Sequence, residues 1–340
     1  MSNVPTILLC RDIPSTLLKN AEEKGLIQII RRSEDGPAPK EWIRSNITNA
    51  NAIIVTLTEP LSEEMIEAGK KLQVVSTMSV GTDHIDTNAI QKRSIKLGTT
   101  PDVLDDAVAD LTLLLTLAAM RNLSYASRIV QQGQWSKHPW SPLAFCGPSL
   151  RGKTIGFVGF GNIAQTVASL MLMFQPGRIL YTTSKPKPFD IQSPDFSRLR
   201  ERASASSDIE IRNVPDLQQL AKESDVVITL TSLNPSTKHL IDEKFLSSMK
   251  RSAYLINTAR GPIVDTIALA QALESGQIAG AGLDVLEGEP NISSEHPLLQ
   301  ESCRDRVLIL PHIGSATNEA RQAMADLCVK HVLDQFSVSL

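Results

Sequence analysis

Residues 154 to 164, Thr-Ile-Gly-Phe-Val-Gly-Phe-Gly-Asn-Ile-Ala, carry an apolar strand through two glycines and straight into a helical stretch. A strand that stops in a tight turn needs a permissive backbone at Gly159. The missing Cβ at Gly161 lets a pyrophosphate lie against the amides opening the next helix, where the macrodipole favours anions. Ala164 supplies the third small position. Paired glycines alone are common in loops, but a buried strand before and an amphipathic helix after give this pair its meaning. The turn, with Gly159, Phe160, Gly161, Asn162 and Ile163, therefore predicts a dinucleotide site.

The chain around this turn alternates strand and helix. Before residue 102, Thr6 to Cys10, Ala52 to Leu57, Leu72 to Thr77 and Ile95 to Thr99 read as strands, separated by polar runs of helical spacing such as Ser62 to Lys70. Pro101 breaks that pattern, and Asp102 is expected to cap a long helix whose acidic start includes Asp105 and Asp106. Further strands are predicted at Thr154 to Val158, Ile179 to Thr182, Val226 to Thr231, Tyr254 to Thr258, Gly280 to Val285 and Val307 to Leu310. A polar helix at Phe196 to Arg202 and an edge strand at Ile209 to Val214 complete the pattern. Such alternation makes an α/β protein, with one α/β unit before residue 102 and a doubly wound parallel sheet from residue 153 onward. A length of 340 residues suits two cores better than one.

The net charge of −3 argues against nucleic acid and anionic membrane surfaces as partners and favours a small molecule. Cys10, Cys146, Cys303 and Cys328 lack metal-ligand spacing, so neither zinc nor disulfides are expected. The N-terminal apolar run has no basic region before it and meets Arg11 and Asp12 at once, unlike a signal peptide. Val108 to Met120 is far short of the ~20 apolar residues needed to span a bilayer. No metal, no membrane and a cytoplasmic location are the resulting expectations.

Two further patterns bear on chemistry. An acidic residue about 20 positions beyond the glycines binds the ribose 2′-hydroxyl of NAD, whereas here the sequence is Tyr181-Thr182-Thr183-Ser184-Lys185-Pro186-Lys187. Thr183, Ser184, Lys185 and Lys187 offer groups for a 2′-phosphate, which favours NADPH; if the lysines are ordinary solvated charges, NADH serves too. Downstream, Asn257-Thr258-Ala259-Arg260-Gly261, Gly282-Leu283-Asp284-Val285 with Glu287-Gly288-Glu289-Pro290, and Leu310-Pro311-His312-Ile313-Gly314-Ser315 each fall at a predicted strand's C-terminal end. That is where ligands bind open α/β sheets. Reduction of a 2-keto acid needs a proton donor, suited to His312 supported by Glu289, and a cation for the carboxylate, suited to Arg260. Singly, each has a structural explanation; their order behind a nucleotide turn favours the catalytic one.

These strings, with Val74 to His84, Thr100 to Leu104 and Leu310 to Thr317, resemble the D-isomer-specific 2-hydroxyacid dehydrogenases over nearly the whole chain, most of all the glyoxylate/hydroxypyruvate reductases. The resemblance implies two doubly wound parallel-sheet domains: a discontinuous substrate domain of flavodoxin-like fold at residues 1–101 and 316–340, and a Rossmann-type cofactor domain at residues 102–315. It implies catalytic Arg260, Glu289 and His312, with substrate carboxylate binding by the amides of Val80 and Gly81. Leu57 would line the same pocket, and Trp140, in the irregular segment Gln134 to Leu150, would reach the active site of the partner in a homodimer. Ser232, Thr258, Asp284 and Gly314 would join the cofactor site. Ala144 stands where these reductases carry an aromatic, and Thr183-Ser184 where they carry Gly-Arg. The implied reaction is reduction of glyoxylate to glycolate or hydroxypyruvate to D-glycerate. Alternatives are a D-lactate or phosphoglycerate type of dehydrogenase, or a cofactor-sensing corepressor-like binding protein.

Overall fold

The computed structural model describes residues 4–32, 34, 36–202 and 209–339. Residues 203–208, between the predicted helix at Phe196 to Arg202 and the predicted edge strand at Ile209 to Val214, thus lie outside the described residues. The chain divides into two units, Met1–Leu104 with Ser315–Leu340, and Asp105–Gly314.

In the first unit, strands β1 (Thr6–Leu9), β2 (Gln28–Arg31), β3 (Ala52–Val55), β4 (Val74–Thr77) and β5 (Lys96–Gly98) form one parallel sheet in the order β2-β1-β3-β4-β5. Every residue of β3 and β4 is buried, as expected for central strands covered on both faces. Strand β2 was not predicted. It lies at an edge with Gln28 and Arg31 exposed, so it lacks the apolar run that marks the centre. The helix Asn318–Gln335 packs against β3, β4 and β5. Its close approach requires Gly98, where a Cβ would stand 2.2 Å from His331 Nδ1.

The second unit holds a seven-stranded parallel sheet: β6 (Thr154–Val158), β7 (Arg178–Thr182), β8 (Glu210–Asn213), β9 (Val226–Thr229), β10 (Tyr254–Asn257), β11 (Gly280–Leu283) and β12 (Val307–Ile309). The order is β12-β11-β10-β9-β6-β7-β8, so the winding direction reverses between β6 and β9, which makes a topological switch point there. Register aligns the strand ends: Val158 pairs with Thr229, Thr229 with Asn257, Asn257 with Leu283, and Leu283 with Ile309. Residues that follow these positions consequently emerge along one edge of the sheet.

Helical detail departs from the sequence reading in two places. The long helix starts at Asp105, not at a cap on Asp102, which sits three residues earlier with φ +70°. An N-cap has extended backbone, so Asp102 cannot fill that role. The same helical run breaks after Met120 at Asn122 (φ +46°), and a second helix, Leu123–Gln131, leaves at 70°. Among the described residues no single helix is long and apolar enough to cross a membrane.

Candidate active site

Gly159 is required twice over. Its φ is +90°, and a Cβ there would lie 2.7 Å from Leu230 O on the neighbouring strand. Gly161 serves differently: it is the N-cap of helix Asn162–Leu172, makes no side-chain cap bond, and faces open space where a Cβ would be. Phe160 between them stacks on Tyr181 with ring centroids 4.3 Å apart, and Phe157 and Phe196 pack edgewise or tilted on the same cluster. A rigid aromatic bed therefore holds the turn in place. The Tyr181 hydroxyl, pushed up to about 12 by burial, donates to Lys187 O at 2.5 Å.

The loop after β7 has no carboxylate at its start, with Thr182 buried and Ser184 and Lys185 exposed. Thr183 Oγ1 donates to Lys185 O at 2.6 Å, and Lys187 pairs with Asp195 at 3.2 Å. The pairing engages Lys187 in the loop's own structure, while Lys185 is exposed. Ser232 is exposed after β9, where its carbonyl accepts from Thr237 Oγ1 at 2.7 Å.

Beyond β10, buried Asn257 shapes the turn that presents Arg260. Its Nδ2 donates to Arg260 O at 3.0 Å, while its Oδ1 accepts from Ala259 N at 3.1 Å and from Thr229 Oγ1 at 2.7 Å. In the sequence Asn257 is marked only as an amide at the end of an otherwise apolar strand, and its part in shaping the turn appears in the structure alone. Thr258 is buried and bonded to Thr112 Oγ1 at 2.8 Å. Arg260 is half-buried, with Nη1 donating to Ala259 O at 2.8 Å. Gly261 makes the next step possible, since a Cβ there would stand 2.0 Å from Leu286 C. The Arg260 turn thus lies directly against the turn that carries Glu289.

His312 and Glu289 meet, with Nδ1 to Oε1 at 2.5 Å. The second Glu289 oxygen accepts from Leu286 N at 3.0 Å, which fixes the carboxylate. A carboxylate on Nδ1 fixes the imidazole tautomer and directs Nε2 away from it. His312 has φ +55°, a strained conformation maintained by Asp284 beneath it. Asp284 O accepts from His312 N, and its two carboxylate oxygens accept from Ile313 N and Gly314 N, all at 2.7 Å. Burial raises the Asp284 carboxyl above its ordinary value, and the two backbone donors oppose that shift.

In the first unit, Ser79 Oγ donates to Gly81 O at 2.7 Å and is bonded to Thr77 Oγ1, which in turn meets His84 Nε2 at 2.9 Å. Val80 is exposed, and among the described residues no protein acceptor takes the amides of Val80 or Gly81. Half-buried Leu57 sits in a turn organised by Glu59. That fully buried carboxylate accepts from Thr56 N at 2.9 Å, Thr56 Oγ1 at 2.7 Å and Thr58 Oγ1 at 2.8 Å. In the second unit, Trp140 is 87% exposed in the irregular segment after Gln134. No group of three or more histidine, cysteine, aspartate or glutamate residues suited to a metal ion occurs among the described residues.

An ionisable dyad on the same sheet edge as a dinucleotide turn has the chemistry of a pyridine-nucleotide oxidoreductase. Residues 113–314 match the family described as D-isomer specific 2-hydroxyacid dehydrogenase, NAD binding domain. The chain is 41% identical to a glyoxylate reductase from Thermofilum pendens over 97% of its own length and 91% of that protein's. It is 38% identical to the glyoxylate reductase/hydroxypyruvate reductase of Mus musculus, covering 88% and 85% of the two chains. Among solved structures, an NADPH-dependent glyoxylate/hydroxypyruvate reductase from Sinorhizobium meliloti in complex with NADP and malonate superposes with a TM-score of 0.80. It is 31% identical, over 98% of this chain and 94% of that one. The chain belongs to the D-isomer specific 2-hydroxyacid dehydrogenase family, and its second unit contains the family's NAD-binding domain.

Proposed function

We propose that this enzyme reduces small 2-keto acids, glyoxylate and hydroxypyruvate foremost, with NADPH preferred over NADH. The observation that carries the reading is the 2.5 Å contact between His312 Nδ1 and Glu289 Oε1, because it leaves Nε2 as the nitrogen to deliver a proton. Reduced nicotinamide, when bound, supplies the hydride to C2. Protonated His312 passes its Nε2 proton to the developing alkoxide, while Glu289 stabilises the imidazolium before transfer. Arg260 binds the substrate carboxylate and polarises the keto oxygen, and the unpaired amides of Val80 and Gly81 take the carboxylate as well. Leu57 and Trp140 limit substrate size.

For the cofactor, Gly159, Phe160, Gly161, Asn162 and Ile163 take the pyrophosphate. Ser232, Thr258, Asp284 and Gly314 line the remainder, and Thr183, Ser184 and Lys185 take the 2′-phosphate. Conserving Lys187 in its pair with Asp195 leaves Lys185 as the main cation for that task. The glyoxylate and hydroxypyruvate reductase names of the relatives support the substrate assignment, and the NADP complex of the Sinorhizobium meliloti enzyme supports the cofactor. The exposed Trp140 segment supports a homodimer, and the free cysteines Cys10, Cys146, Cys303 and Cys328 support a reducing compartment such as the cytoplasm.

The test follows NADPH and NADH oxidation by absorbance with glyoxylate, hydroxypyruvate and pyruvate in turn. Glyoxylate and hydroxypyruvate should be reduced fastest, and with NADPH. His312→Gln is expected to lower kcat by at least ~100-fold while cofactor affinity stays near the parent's. Lost cofactor binding with unchanged turnover would refute the role given to His312.

A further inference from the structure

Close behind the proposed dyad lies a second histidine–carboxylate contact that the reaction does not use. His239 Nε2 lies 3.0 and 3.1 Å from the two oxygens of Glu287, and its Nδ1 is 4.0 Å from Asp265 Oδ2. All three side chains are about one-third exposed. His239 holds φ +51°, a conformation uncommon outside glycine, which here directs its amide to Pro262 O at 2.8 Å. The same segment continues along the Arg260 turn, with Ile241 N donating to Ile263 O at 3.0 Å and Asp265 N to Ile241 O at 3.0 Å. Glu287 belongs to the other turn, one residue beyond Leu286, whose amide holds Glu289.

We infer that His239 and Glu287 form a clasp that presses the Arg260 turn and the Glu289 turn together, so that both are positioning residues for the proposed catalytic groups. The backbone gives the reason. Gly261 and Leu286 approach so closely that no side chain fits between them, and the buried cluster that Ile263 and Leu286 share around this contact is apolar and non-directional. A bidentate contact spanning the two turns sets that register from outside. Its loss lets Arg260 and Glu289 drift relative to one another, and displacements on the order of 1 Å cost ~100-fold in positioned chemistry.

The inference rests on the proposed function for its kinetic consequence alone. His239→Gln, Glu287→Gln and the double variant are compared with the parent in kinetics and in residue-resolved amide hydrogen exchange. Each single variant should lose about tenfold in keto-acid kcat/KM with the cofactor KM unchanged. The double variant should lose no more than either single one, because a shared contact is removed only once. Exchange should quicken at Ile263 and Leu286, whose amides bond within the two turns, and stay at parental values in β6 and β9. Additive losses, kcat/KM within about twofold of the parent, or parental exchange at Ile263 and Leu286 would each overturn the clasp. A parent unable to reduce keto acids refutes the proposed function instead, and the exchange pattern then decides the clasp by itself.

Discussion

Glu59 is completely buried, yet every oxygen it has is engaged by donors from Thr56, Thr58 and Ala38, with Arg11 Nε 3.4 Å away. A buried carboxylate is tolerable only when so surrounded, and removing its acceptor character strands several donors at once. Glu59→Gln turns an NH2 group toward those donors at nearly constant volume. It should cost about 3 kcal/mol, read as a lower urea midpoint. An unchanged midpoint would mean that water replaces the bonds and that the Leu57 turn does not depend on them. Asp284 illustrates the same logic, its two oxygens holding the strained His312 loop. Neither residue stood out in the sequence as an organiser, because an isolated acidic letter does not reveal which amides fold back onto it.

Among the described helices of the second unit, Leu217–Glu223, Glu243–Ser248 and Thr266–Glu274 each start at an aspartate whose side chain accepts from their first amides. Asp216 accepts from Gln218 N and Gln219 N at 2.8 and 3.3 Å at the head of the helix Leu217–Glu223, and Asp265 does the same for Thr266–Glu274. Asp216→Ala should therefore lower stability by about 1 kcal/mol in urea denaturation without changing KM. A larger loss would imply that this short helix also locks β8 in place. Strands were read with their centres correct and their ends one or two residues long. Predicted β3 ran to Leu57, whereas the strand stops at Val55 because Glu59 draws Thr56 into its turn. The edge strand β2 escaped notice since only half its surface is covered, so its sequence carries little of the apolar signal.

At the scale of the whole molecule, the C-terminal helix fixes a titratable group inside the first unit. His331 Nδ1 lies 3.1 Å from Ser76 Oγ, and burial first, then Lys96 and Lys330, lower its pKa, while Asp334 opposes them. Its neutral form is favoured by folding, so the stabilisation is complete above the ordinary histidine value near 6.5. It is lost as pH falls through the lower folded value. Melting temperature should accordingly drop between about pH 7 and about pH 5 in the parent, and drop less in His331→Gln. Parallel curves for the two proteins would assign the acid sensitivity elsewhere.

Local signals were enough to specify an α/β chain, the parallel sheet behind the turn at Gly159 and the residue types of the dyad, because strand period and glycine geometry are properties of neighbours in the chain. Tertiary structure alone decided which of those groups touch. Arg260, Glu287, Glu289 and His312 follow three different strands, and it is the aligned register of β10, β11 and β12 that delivers them to one sheet edge. A contact such as His239 to Glu287 spans 48 residues. No periodicity encodes a pairing at that separation, since it exists only after the sheet has set the strands side by side.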